Sequence, residues 1–101
     1  KSWMYMVYDE LIGEIYWVIG KIQSDPELEE QLRRLKFDIR KNGVKVAGDP
    51  YLMNEETDAR IEINQVIAEF ERIADQAKEP DIRQYLLEMK AELEVNGITD
   101  E

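Results

Sequence analysis

Read at 100° per residue, Met4, Val7, Tyr8, Leu11, Ile12, Ile15, Val18, Ile19 and Ile22 fall on one broad face, which predicts an amphipathic helix over residues 2–22. The next run, Ser24-Asp25-Pro26-Glu27, supplies capping side chains, a proline suited to a first helical turn and a carboxylate placed for the positive end of a helix dipole. A second helix is expected to start there. Its apolar residues Leu28, Leu32, Leu35 and Ile39 alternate by four and three as a narrow seam, and Asn42-Gly43 is its stop, stapled by Val44. A competing pattern crosses its end: Leu35, Phe37 and Ile39 alternate with Lys36, Asp38 and Arg40 ahead of Asn42-Gly43 and Val44-Lys45-Val46, the signal of a β-hairpin over residues 36–47. The seam reaching back to Leu28 favours the helix.

Gly48-Asp49-Pro50 marks a turn, and Asn54 is placed to cap a third helix whose inner face reads Ala59, Ile63, Val66, Ile67, Phe70, Ile73, Ala74 and Ala77. Glu79-Pro80-Asp81 opens a fourth, with Ile82, Tyr85, Leu86, Met89 and Leu93 on one face and Asn96-Gly97-Ile98 as its stop.

Residues 25–44 and 79–98 overlay without a gap, through Leu28/Ile82, Leu32/Leu86, Leu35/Met89, Ile39/Leu93, Asn42/Asn96, Gly43/Gly97 and Val44/Ile98, every pair 54 residues apart. At the same offset the first and third helices overlay more loosely, through Ile12/Val66, Tyr16/Phe70, Ile19/Ile73 and Gly20/Ala74. Two explanations fit: a duplicated helical hairpin, or two helices converging on the same start and stop chemistry. Two hairpins are too few for a solenoid, which leaves a compact bundle or a pair-swapped dimer. The expected fold is therefore all-α, a four-helix bundle built from two tandem helical hairpins. Hairpin 1 spans about residues 2–42, a linker about 43–54 and hairpin 2 about 55–97, within a single helical domain over 1–101.

Composition narrows the chemistry. The chain has 101 residues, enough for one hydrophobic core, and its 44% apolar and 36% charged residues describe a globular chain with a heavily charged surface. With no cysteine and no histidine, it has no disulfide, thiolate nucleophile, imidazole acid-base pair or usual zinc, copper or haem ligand set. A formal charge of −10 repels nucleic acid and anionic membrane at long range, so neutral or basic partners are expected. The most apolar stretch, residues 3–22, holds Asp9, Glu10 and Glu14, which rules it out as a membrane span or a signal peptide; the expected location is cytoplasmic.

Two surfaces stand out. Beyond its main face, the first helix carries Trp3, Met6 and Trp17 as a second apolar stripe, flanked by Tyr5 and Tyr16, with Gly13 and Gly20 beside Met6 at seven-residue spacing. Each glycine costs a helix about 1 kcal/mol relative to alanine, which a close backbone approach would offset. Either this helix runs through the middle of the bundle, or Trp3, Met6, Gly13, Trp17 and Gly20 form a homodimer or partner interface; Trp, Tyr and Met are enriched in such surfaces. The second is a run of cations, Arg33, Arg34, Lys36, Arg40, Lys41 and Lys45, opposed only by Asp38. It is a candidate anion-binding surface for phosphate, a nucleic-acid backbone or an acidic partner, although Phe37 is the only aromatic interleaved with it; the plainer reading is a solvated helix face.

Catalysis is not expected. Helical nucleotide pyrophosphohydrolases hold Mg²⁺ on paired carboxylates, and Glu27 with Glu30 and Glu55 with Asp58 fit that spacing, but so acidic a chain produces such pairs by chance and both fall in first helical turns. No phosphate-cradling glycine loop, nucleophile elbow or EF-hand loop is present, and no cofactor is expected. The stretch from Asp25 through Asn42-Gly43 to Gly48-Asp49-Pro50 bears an outline resemblance to phage small terminase subunits, which implies a nucleic-acid-associated role and assigns no residue. The expected function is a non-catalytic, acidic helical protein-interaction module, regulatory or adaptor in role, that self-associates or binds a protein through the first helix. The alternatives are a nucleic-acid-associated or DNA-mimic protein of phage or anti-defence type, and, more remotely, a Mg²⁺-dependent pyrophosphohydrolase.

Overall fold

A computed structural model of the protein describes residues 6–45 and 61–99. In chain order these form β1 (Met6–Val7), α1 (Tyr8–Lys21), α2 (Pro26–Asn42), β2 (Val44–Lys45), β3 (Ile61–Glu62), α3 (Ile63–Gln76), α4 (Pro80–Asn96) and β4 (Ile98–Thr99). The fold is all-α: α1 with α2 and α3 with α4 make two helical hairpins, and the helices touch in a ring, α1 on α2, α2 on α3, α3 on α4 and α4 on α1. No helix among the described residues is long and apolar enough to cross a membrane.

Two helix starts differ from the sequence expectation. The first helix starts at Tyr8 rather than Ser2, because Met6 and Val7 are extended and pair in parallel with Ile98 and Thr99. The third starts at Ile63, with the Glu62 backbone N–H donating to Gln65 Oε1 at 3.0 Å; Asn54 and Ala59 lie outside the described residues. At residues 36–47 no hairpin forms among the described positions. The helix continues to Asn42, because its seam of Leu28, Leu32, Leu35 and Ile39 is buried, and Gly43 at φ 78° takes the left-handed turn that ends it. Val44 and Lys45 then pair in parallel with Ile61 and Glu62. Helix α1 is flanked by α2 on one side and α4 on the other, the arrangement expected if it lies between neighbours in the bundle.

The core is drawn evenly from both hairpins. Leu11, Ile15, Val18 and Ile19 of α1 and Val66, Phe70, Ile73 and Ala74 of α3 are buried, and each of these pairs is 55 residues apart, not the 54 that aligns α2 with α4. The change of register sits in the turns: four residues separate Lys21 from Pro26, and three separate Gln76 from Pro80. With that one-residue step, helix matches helix, strand matches strand, and the pairing Met6↔Ile98 maps onto Ile61↔Val44. The hairpins are thus related by an approximate twofold, each giving its first strand to the last strand of the other.

The turns lie against each other across this axis. The buried Asp25 carboxylate accepts the Leu28 N–H of its own helix at 3.3 Å and the Lys78 N–H of the opposite turn at 3.3 Å. Its counterpart Glu79 reaches back to accept the backbone N–H groups of Gln23 at 3.1 Å and Ser24 at 3.2 Å. Backbone donors that the two turns would otherwise leave open are satisfied reciprocally.

Candidate functional site

The buried stripe of α1 uses Leu11, Ile15, Val18 and Ile19, which leaves Trp17 on its flank, facing α4 and 48% exposed. There its indole meets the half-buried Tyr85 ring edge-on, centroids 4.8 Å apart at 69°, while the Lys21 ammonium sits 5.2 Å from the indole centroid. Val18 and Met89 floor the groove between α1 and α4, and Glu14, Glu88 and Glu92 rim it. The site is a shallow aromatic trough of about 570 Å³ with carboxylates on its walls.

The approximate twofold supplies a counterpart of nearly equal size, about 590 Å³, between α2 and α3. Position by position, Trp17 becomes Arg72, Lys21 becomes Gln76, Tyr85 becomes Gln31, and Glu88 becomes Arg34. The polar side chains of this second groove hydrogen-bond one another. Gln31 Nε2 donates to Gln76 Oε1 at 2.8 Å, Arg72 Nη1 donates to Gln31 Oε1 at 2.8 Å, and Arg72 Nη2 donates to Glu69 at 2.6 Å, a bond that raises the guanidinium's pKa further above its ordinary value. The same backbone position is therefore compatible with a polar, self-satisfied surface, so the fold does not require an aromatic pair between α1 and α4.

The other expected interface residues separate. Trp3 lies outside the described residues, and Met6 is in β1, so the helical spacing linking it to Gly13 and Gly20 stops at Tyr8. Gly13 and Gly20 are exposed, and among the described residues no atom of another element lies within 4 Å of where their Cβ atoms would stand, so no close approach there accounts for either. Tyr16, 63% exposed, faces the α2 side with Gly13, under the Lys36 ammonium at 5.0 Å.

Five of the six cations, Arg33, Arg34, Lys36, Arg40 and Lys41, line one outer face of α2 around Phe37, which is 60% exposed. Arg33 pairs with Glu29 at 2.7 Å and Arg34 with Glu30 at 3.2 Å, both one turn back on the same helix, and Lys41 covers the Phe37 ring at 5.7 Å. Lys45 is apart from them in β2, 4.0 Å from Glu62. Of the acidic pairs, Glu27 and Glu30 fall in the first turns of α2, while Glu55 and Asp58 lie outside the described residues; among the described residues no group of three or more His, Cys, Asp or Glu side chains could hold a metal ion.

Sequence reasoning placed Tyr85 on the core face of its helix and did not select Glu14, Glu88 or Glu92. The available signal was the repeat itself: once the one-residue step between the turns is allowed, Trp17 and Tyr85 are aromatic where their counterparts Arg72 and Gln31 are polar. Comparison with known protein families, with characterised proteins and with solved structures finds no match to this chain, so its own geometry carries the functional reading.

Proposed function

We propose that the protein is a non-catalytic interaction module, regulatory or adaptor in role, that docks protein through the groove between α1 and α4. The observation that carries this reading is the half-exposed Trp17 set against Tyr85 in a groove whose symmetry counterpart is lined instead by Gln31, Arg72 and Gln76, polar side chains that hydrogen-bond one another. A bare aromatic trough with charged walls matches the anatomy of interface hot spots, where a few desolvated aromatics dominate the binding energy inside a polar rim. The absence of cysteine and histidine from the sequence removes the side chains on which most catalytic sites depend.

The nucleic-acid alternative draws on the cations and Phe37 of α2. It is the weaker reading, because Arg33 and Arg34 already pair with Glu29 and Glu30 and the chain as a whole carries −10.

The decisive experiment makes one groove resemble the other. Trp17→Arg with Tyr85→Gln should leave thermal unfolding nearly unchanged and eliminate specific protein capture from the native host. If the variant and the parent retain the same proteins, the groove is not the docking site.

A further inference from the structure

We propose that the occupant of the α1/α4 groove is the basic face of α2 from a second copy of this chain. The inference rests on the docking reading above and adds what fills the groove. Its basis is a charge comparison between equivalent positions of α2 and α4. On α4, Lys90 Nζ and Glu94 form an ion pair at 3.5 Å. Their counterparts on α2 are Lys36 and Arg40, two cations one turn apart where α4 has a cation and an anion; Lys36 lies over Tyr16 and Asp9 lines the same groove, so the α2 face keeps an excess of positive charge that an added anionic surface would favour. The exposed Phe37 takes the place of Ala91, and Arg34 the place of Glu88.

The two faces are thus complementary in charge. The groove offers an aromatic floor and the carboxylates of Glu14, Glu88 and Glu92; the α2 face offers one protruding ring between guanidinium and ammonium groups. The net charge does not forbid the contact. At physiological salt the Debye length is about 8 Å, which screens repulsion between bodies measuring 38 × 27 × 19 Å more strongly than it screens opposite charges in contact. The two faces are different surfaces of the chain, so two copies satisfy both contacts only as a reciprocal twofold pair; any other arrangement leaves each copy one groove and one α2 face to offer and runs to a ring or an open filament.

The test is sedimentation velocity on the purified full chain up to about 1 mM, the range in which a contact of a few kcal/mol is populated. The mean mass should rise above 11.9 kDa with concentration. A groove-reversed variant, Glu88→Lys with Glu92→Lys, and a face-reversed variant, Arg34→Glu with Arg40→Glu, should each remain monomeric. Mixed in equal amounts they should associate again, because each then carries the charge the other requires. A parent chain that stays monomeric, or a mixture that does not associate, overturns the proposal.

A second arm separates that failure from failure of the docking groove itself. Titration of the parent with an amphipathic lysine-leucine helical peptide, followed by tryptophan emission, reports the groove directly. Peptide binding that Trp17→Arg with Tyr85→Gln removes, in a parent that does not self-associate, retains the groove and rejects the second copy as its occupant. No binding and no self-association reject both. Salt-sensitive binding of a single-stranded oligonucleotide, lost in the face-reversed variant and without self-association, assigns the basic face to nucleic acid and likewise overturns the proposal.

Discussion

The first hairpin and the second agree inside and disagree outside. At the interior positions Leu11/Val66, Ile15/Phe70, Val18/Ile73 and Ile19/Ala74 both members are buried, and the residues change only in size. At the surface the differences are of kind: Trp17 against Arg72, Tyr85 against Gln31, Arg34 against Glu88, Arg40 against Glu94. Packing limits the interior to apolar side chains that fill a shared space, whereas an exposed position is nearly free as far as stability is concerned. A fold that uses the same backbone plan twice therefore contains its own control, and the aromatic groove and the basic helix face are the places where one half departs from that control.

Because the interior is shared, its equivalent positions should behave as a pair, and this comparison carries the largest expected effect. Ile15 and Phe70 have no exposed surface. Phe70→Ala should cost about 3–5 kcal/mol and Ile15→Ala about 2–5 kcal/mol, read from denaturant midpoints. Exchanging them, Ile15→Phe with Phe70→Ile, retains the total core volume and should cost less than Phe70→Ala, about 1–3 kcal/mol. An exchange as damaging as the truncation would mean that the two positions do not share one interior.

The turns give an intermediate effect and a test of reciprocity. Asp25 is 3% exposed and joins its own helix start to Lys78, so Asp25→Ala strands buried donors and should cost about 1–3 kcal/mol. Glu79 is half-buried and its bonds to Gln23 and Ser24 are exposed, so Glu79→Ala should cost less, about 0.5–1 kcal/mol. If the turns support each other across the axis, the double variant will lose less than the two single losses added together, and strict additivity in a double-mutant cycle would show two independent caps.

Most of the fold was legible because helix signals are local. The four-three seam of Leu28 to Ile39, Pro26 and Pro80 at the starts, and Gly43 and Gly97 at the ends are each read within one or two turns. The parallel strand pairs were not legible: two-residue segments carry no periodicity, and their partners lie 17 and 92 residues away. That non-local pairing also accompanies the early start given to the first helix: Val7 continues its main apolar face and Met6 its second stripe, yet both are extended and pair with Thr99 and Ile98. Of the site, Trp17 was visible as surplus apolar surface on one helix, and the basic run was visible as charge. The groove was hidden, because its other wall is on α4 and its significance appears only when α1 and α3 are compared at an offset of 55.

A single-bond effect concerns a contact that the first hairpin makes and the second does not. The buried Tyr8 hydroxyl donates to the Ile39 carbonyl at 2.7 Å, an oxygen that also accepts the Gly43 N–H at 2.9 Å. In the second hairpin Ile63 stands in place of Tyr8, and the Leu93 carbonyl accepts the Gly97 N–H at 3.1 Å with no hydroxyl opposite. Tyr8→Phe makes the first hairpin resemble the second and should cost about 1 kcal/mol. Burial raises the phenol's pKa above its ordinary 10.0; Arg40 pulls it down and Asp9 pushes it up, both more weakly. With the folded value above the unfolded one, the hydroxyl's contribution is complete below about pH 10, declines as the unfolded chain begins to ionise, and is lost as pH passes the folded value. Stability of the parent should therefore fall toward that of Tyr8→Phe across this window. A difference between them that stays constant through pH 11, measured by urea unfolding, would mean that the hydroxyl is not confined as its bond to Ile39 implies.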